Sequence, residues 1–163
     1  MIVKTVGKLN VELPSDREIV MTREFNAPRE LVFEALTTPA LLKQWFRQPG
    51  SELTVCEFEA RKGGKYRYVW KFGAMEMGMS GELTDFKAPE RMASTEKFDT
   101  AWYPGDATSS IVLTEKNGKT LLTLSVRYDS KATRDMVLQT PMAEGVSRGY
   151  DSLEEFLAKG NAK

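Results

Sequence analysis

Between residues 52 and 128 the chain holds a hydrophobic period of two through six runs separated by short turn sequences, a pattern that leaves little room for anything but an antiparallel meander. The runs are Glu52 to Ala60, Lys65 to Phe72, Glu76 to Phe86, Arg91 to Asp99, Ser109 to Lys116 and Thr120 to Tyr128. Lys62, Gly63, Gly64 and then Asn117, Gly118 are tight-turn chemistry, because glycine and asparagine tolerate positive φ. In the second run Tyr66, Tyr68, Trp70 and Phe72 alternate with Lys65, Arg67, Val69 and Lys71, which describes a sheet with one wet face and an aromatic face turned inward. Upstream, Leu9, Val11 and Leu13 and the stronger stretch from Arg17 to Phe25 flank Pro14, Ser15 and Asp16, as in a hairpin.

Two short helices follow that first long strand. Pro28 fits a first helical turn before Leu31, Val32, Ala35 and Leu36, and Thr38 with Pro39 repeats the signal before Leu41, Leu42, Trp45 and Phe46. At the far end, Ala132, Met136, Ala143, Val146, Tyr150, Leu153 and Leu157 recur at helical spacing from Lys131 to about Lys159, with Ser130 placed to cap. Pro141 lies within that stripe and should interrupt it, since proline lacks an amide donor and crowds the preceding turn. About 20 helical residues span about 30 Å, enough to lie across several strands. The expected fold is therefore α+β: a curved antiparallel sheet of six or seven strands around a long C-terminal helix. A bent sheet with one helix in its mouth must be filled by large side chains or by a ligand.

Composition narrows the function. The 163 residues suit one domain, with 41% hydrophobic and 28% charged residues. Lys and Arg total 23, as do Asp and Glu, so no global field favours nucleic acid. The absence of histidine removes the commonest general base and metal ligand, so neither a metal site nor a cofactor is expected. Cys56 has no disulfide partner and no histidine to activate it, and reads as a buried apolar residue. Gly63, Gly64 joins two strands and is not a phosphate loop. Without a signal-peptide layout or a long apolar run, the expected place is the cytoplasm, with no membrane insertion and a monomer or homodimer as the state.

The element order, with Ala27, Pro28, Arg29, Glu30, Leu31, Val32, Phe33, then Leu42, Lys43, Gln44, Trp45, Phe46, then Gly63, Gly64, Lys65, Tyr66 and Ala88, Pro89, Glu90, Arg91, resembles the START-like superfamily, also called birch-pollen-allergen-like or SRPBCC. Pro141, Met142, Ala143, Glu144, Gly145 with Tyr150, Asp151, Ser152, Leu153 is similar to the last helix of its branch of homologs of the activator of the heat shock protein 90 ATPase. The resemblance implies a helix-grip domain over 17–160, with 1–16 an extension that adds a strand. It also implies a small apolar molecule as partner, or alternatively a chaperone; family members include carriers, cyclases and hydrolases.

The candidate cavity residues are Trp45, Tyr66, Tyr68, Trp70, Met77, Met79, Phe98, Trp102, Met136, Met142, Val146 and Tyr150. Each also has a plain reading as core, and methionines fill irregular space whether or not a ligand comes. Trp102 differs: it falls in a loop, as a flap over a cavity mouth would. Gly145 and Gly149 each cost about 1 kcal/mol relative to alanine inside a helix, which either close helix–sheet packing or room for a ligand would explain. The candidate catalytic group is Glu96, which alternation places inward with Met92, Ser94 and Phe98. Its plain reading is a partner for Arg67, Arg127 or a tyrosine hydroxyl. Three functions compete: ligand binding, a cyclase or hydrolase using Glu96, and a chaperone cofactor.

Overall fold

Nine strands form one antiparallel sheet in the computed structural model, which describes residues 1–160. In chain order they are β1 (Ile2–Val6), β2 (Leu9–Glu12), β3 (Glu18–Phe25), β4 (Glu52–Phe58), β5 (Lys65–Phe72), β6 (Met75–Lys87), β7 (Arg91–Phe98), β8 (Ala107–Lys116) and β9 (Lys119–Tyr128). Their order across the sheet is β1-β2-β3-β9-β8-β7-β6-β5-β4. The helices are α1 (Arg29–Thr37), α2 (Pro39–Trp45), α3 (Lys131–Leu138) and α4 (Met142–Gly160). Because β3 lies beside β9 and β4 forms the opposite edge, α1 and α2 carry the chain across the sheet.

The strands follow the alternation closely. β4 through β9 are joined as a continuous meander, and Asn117 and Gly118 both take positive φ at the β8–β9 turn. On β3, Ile19, Met21, Arg23 and Phe25 are buried, and Leu122 and Val126 of β9 join them in the core with Leu153 and Leu157 of α4. This is the helix-grip fold. The sheet exceeds the six or seven strands expected by the hairpin β1–β2, which adds to the edge of β3. β1 escapes sequence reading because it has no dry face: Ile2 and Val3 are both about half exposed.

Pro141 separates α3 from α4, and this shifts the phase of the terminal stripe. The Ser130 side chain accepts a hydrogen bond from the Thr133 amide at 3.1 Å, setting the start of α3. With that start, Thr133, Arg134 and Val137 turn inward, while Ala132 and Met136 face solvent. The interruption expected at Pro141 is present, and of the residues in the terminal stripe Ala132 and Met136 are the ones that leave the core.

The N-terminal hairpin also grips α4 from outside. Ser147 Oγ donates to Val6 O at 2.8 Å, Lys8 Nζ reaches both Glu154 carboxylate oxygens at 3.0 Å, and Lys4 pairs with Glu144 at 3.7 Å. Behind them the buried Arg23 donates to Asp151 Oδ1 at 2.6 Å and Ser147 O at 3.3 Å, while its guanidinium lies over the Phe25 ring. Arg23 Nε has no hydrogen-bond partner, and the desolvation of this cation is offset by Asp151 at one terminal nitrogen and by Glu154, 3.4 Å from the other.

Candidate functional site

A cavity of about 400 Å³ lies between the concave face of the sheet, α2 and the first half of α4. Its floor is the inward row of β5, where Tyr66, Tyr68 and Trp70 are all buried. Phe46, at the end of α2, stands edge-on to both Tyr68 and Trp70 with ring centroids 5.1 Å from each. Trp70 Nε1 donates to Phe46 O at 2.8 Å, and Trp45 Nε1 donates to Ala35 O at 2.9 Å, so both indoles spend their polar atom on backbone and present rings to the cavity.

The helical wall is made of small residues. Gly145, Gly149 and Val146 line the cavity with Met142 and Tyr150. A Cβ added at Gly145 or Gly149 would meet nothing nearer than Gln48 Nε2, at 3.9 Å in each case. Close packing on the sheet therefore does not explain the glycines. Gln48 instead tethers the helix to the α2–β4 loop, donating from Nε2 to Gly145 O at 2.8 Å and accepting from Arg148 Nε at 3.0 Å.

At the β7 wall a polar group enters. Glu96 is half-buried and lines the cavity beside Met92, Ser94 and Phe98, and its Oε2 accepts from Tyr103 Oη at 2.7 Å. Burial pushes the Glu96 carboxyl above its usual range, against the opposing effect of the Tyr103 hydrogen bond. Burial likewise raises the hydroxyls of Tyr66, Tyr103 and Tyr128, and the Glu96 charge adds to each, so all three stay neutral. The arginines considered as its partners are engaged elsewhere: Arg67 makes a two-pronged contact with Asp99 at 3.0 and 2.7 Å, and Arg127 pairs with Glu18 at 3.9 Å. Cys56 is buried, and desolvation raises its thiol to about 11, a poor nucleophile.

Of the twelve cavity residues expected from sequence, Met136 is the one the structure moves away. It is exposed on α3, beyond the Pro141 break. Trp45, Tyr66, Tyr68, Trp70, Met77, Met79, Phe98, Trp102, Met142, Val146 and Tyr150 all line the cavity. Trp102 sits in the β7–β8 loop, 36% exposed, with its ring 5.6 Å from Phe98 and 4.9 Å from Tyr103. Sequence reasoning missed Phe46, Gln48, Tyr103 and Tyr128. Tyr128 was legible as the inward end of the β9 alternation, and Tyr103 adjoins the singled-out Trp102; nothing in the sequence marks Gln48.

A curved antiparallel sheet wrapped around a C-terminal helix, with an apolar cavity between them, defines the START-like class of the SRPBCC superfamily. The chain belongs to the family of Activator of Hsp90 ATPase homolog 1-like proteins, whose family model matches residues 26–158. A crystal structure of a Rhodobacter sphaeroides protein is similar at 31% identity and a TM-score of 0.85, covering 91% of this chain and 97% of that one. A solution structure of a Staphylococcus epidermidis protein matches at 25% identity and a TM-score of 0.80, over 92% and 94% of the two chains. An HSP90 activator from Plasmodium falciparum shares the fold at 20% identity and a TM-score of 0.65, over 87% and 96%. No protein with a curated description matches the chain. Among the described residues no helix is long and apolar enough to cross a membrane.

Proposed function

We propose that the protein binds a small apolar or amphipathic molecule in the cavity between the sheet and the first half of α4. The observation that carries this reading is the pair Gly145 and Gly149. Two glycines in a helix interior cost about 2 kcal/mol together relative to alanine. Alanine would fit at both positions, since the nearest neighbour of an added Cβ stands at 3.9 Å. Packing does not demand glycine there, so the space beside the helix is what the residues provide. The aromatic floor and the methionines Met77, Met79, Met92 and Met142 supply adaptable apolar contact around that space.

The test is titration with N-phenyl-1-naphthylamine, a neutral fluorescent apolar probe. One-site saturation on the fully folded protein is expected, because a preformed cavity requires no unfolding. Weak, non-saturating fluorescence would remove the reading.

The family supports a second reading, a chaperone partner, because its name is that of an HSP90 ATPase activator. Stimulation of an HSP90 ATPase by the purified chain, unaffected by filling the cavity, would select that role. A hydrolase or cyclase role would rest on Glu96, and Glu96→Gln should then abolish turnover of a substrate while sparing the fold.

A further inference from the structure

Resting on the cavity reading above, we infer that the ligand is an amphipathic amine whose protonated head docks on the Glu96 carboxylate. Glu96 lines the cavity and is half-buried, yet only one of its oxygens is engaged: Oε2 accepts from Tyr103 Oη at 2.7 Å, and Oε1 has no hydrogen bond among the described residues. Among the described residues no cation pairs with it: Arg67 is held by Asp99 and Arg127 by Glu18. An ionised carboxylate only accepts hydrogen bonds, so the missing partner must donate them.

The surroundings select among donors. Tyr66 Oη gives its proton to Thr95 O at 2.7 Å, which leaves its oxygen with acceptor capacity only. Tyr128 Oη has no hydrogen bond among the described residues, and its ring stacks edge-on to Tyr103 at 5.3 Å. Acceptor oxygens among aromatic faces suit an ammonium group, which gains from both the carboxylate and the ring quadrupoles. Burial raises the Glu96 carboxyl, and a bound cation would offset that by favouring the charged form. An anionic head would meet the opposite: repulsion at Glu96, with attraction only from Arg47 and Arg148, which line the cavity at exposed positions.

The experiment compares three molecules of equal chain length, decylamine, decanol and decanoate, as displacers of N-phenyl-1-naphthylamine at pH 7. Decylamine should displace at a concentration about tenfold below that of decanol, the size of one charge-assisted hydrogen bond over a neutral one. Decanoate should be the weakest. Glu96→Gln should bring decylamine to the level of decanol measured on the same variant. Equal potency of amine and alcohol overturns the inference while the cavity reading stands; so does a decanoate preference, which would assign the head group to Arg47 and Arg148. An amine preference that survives Glu96→Gln overturns the assignment to Glu96. Failure of the reporter itself to bind removes both the cavity reading and the inference. The wild-type ranking needs no variant, so an unstable Glu96→Gln leaves the test decisive.

Discussion

The two halves of α4 face the same sheet and do opposite things. From Met142 to Gly149 the helix shows the sheet small or flexible residues and stands off it across a cavity. Beyond Tyr150 it enters the core, with Leu153 fully buried and Leu157 nearly so. The buried Arg23 reaches both halves, through Asp151 in the second and Ser147 O in the first, while Gln48 adds a tether at the edge of the first half alone. One rigid helix can thus be anchored in a core at one end and used as a wall at the other, and the side-chain volumes at four-residue spacing decide which.

The sharpest way to break this comparison is at the packed end. Leu153→Ala should cost about 2 to 5 kcal/mol, the range for deleting a buried leucine, and should be read as a fall in melting temperature. A cost near zero would mean that the second half is no better packed than the first. Asp151→Ala should cost about 1.5 to 3 kcal/mol, since it removes a hydrogen bond to a charged, buried guanidinium. Its own side chain is largely exposed, which puts the expectation toward the lower end.

At the open end the signs reverse. Gly145→Leu should abolish binding of the fluorescent probe and keep or raise the melting temperature, because a leucine side chain would occupy the cavity and helix propensity improves. Destabilisation by overpacking would contradict the open geometry at that position. Gly149→Ala should stabilise by about 0.5 to 1 kcal/mol, measured by denaturant titration.

The smallest expected effect is on pH dependence. Burial raises the folded Glu96 carboxyl above its ordinary 4.5, so between that value and the raised one the native state holds a proton the unfolded chain has released. Stability contributed by this group therefore falls as pH rises through that window. The groups facing it, Tyr66, Tyr103 and Tyr128, remain neutral throughout. Asp85 and Asp99, lowered by hydrogen bonds from Arg91 and Arg67, act in the opposite sense, so the clean measurement is the difference between wild type and Glu96→Gln. A difference that does not narrow as pH falls would remove the assigned burial.

How far the sequence reveals this division depends on the residue. Period-two alternation made β5 and its aromatic face legible at once, because each inward position is aromatic and nearly every outward one charged. The inward direction of Glu96 followed from the same register. β1 was illegible because neither face is dry, and Met136 was misplaced because helical spacing does not show that proline resets the phase. Gly145 and Gly149 could be recognised as a cost but not explained. Their meaning lies in how far the helix stands from the sheet, which no local pattern encodes. The Gln48 tether joins residues 97 apart in the chain, and loop positions of that kind carry no periodic signal.

The contacts of the first hairpin with α4 have a consequence for the order of assembly. Ser147 and Val6 are 141 residues apart in sequence, and Lys8 and Glu154 are 146 apart, so these bonds close nearly the longest loop the chain contains. Contacts of such high sequence separation form late, after the loop-closure entropy has been met by the strands between them. During synthesis the sheet can zip from β4 to β9 while its concave side is still bare, since the helix that covers it is made after all nine strands. The same aromatic row that later floors a cavity is, until then, an open apolar surface, and such surface is what makes partly folded chains prone to aggregate.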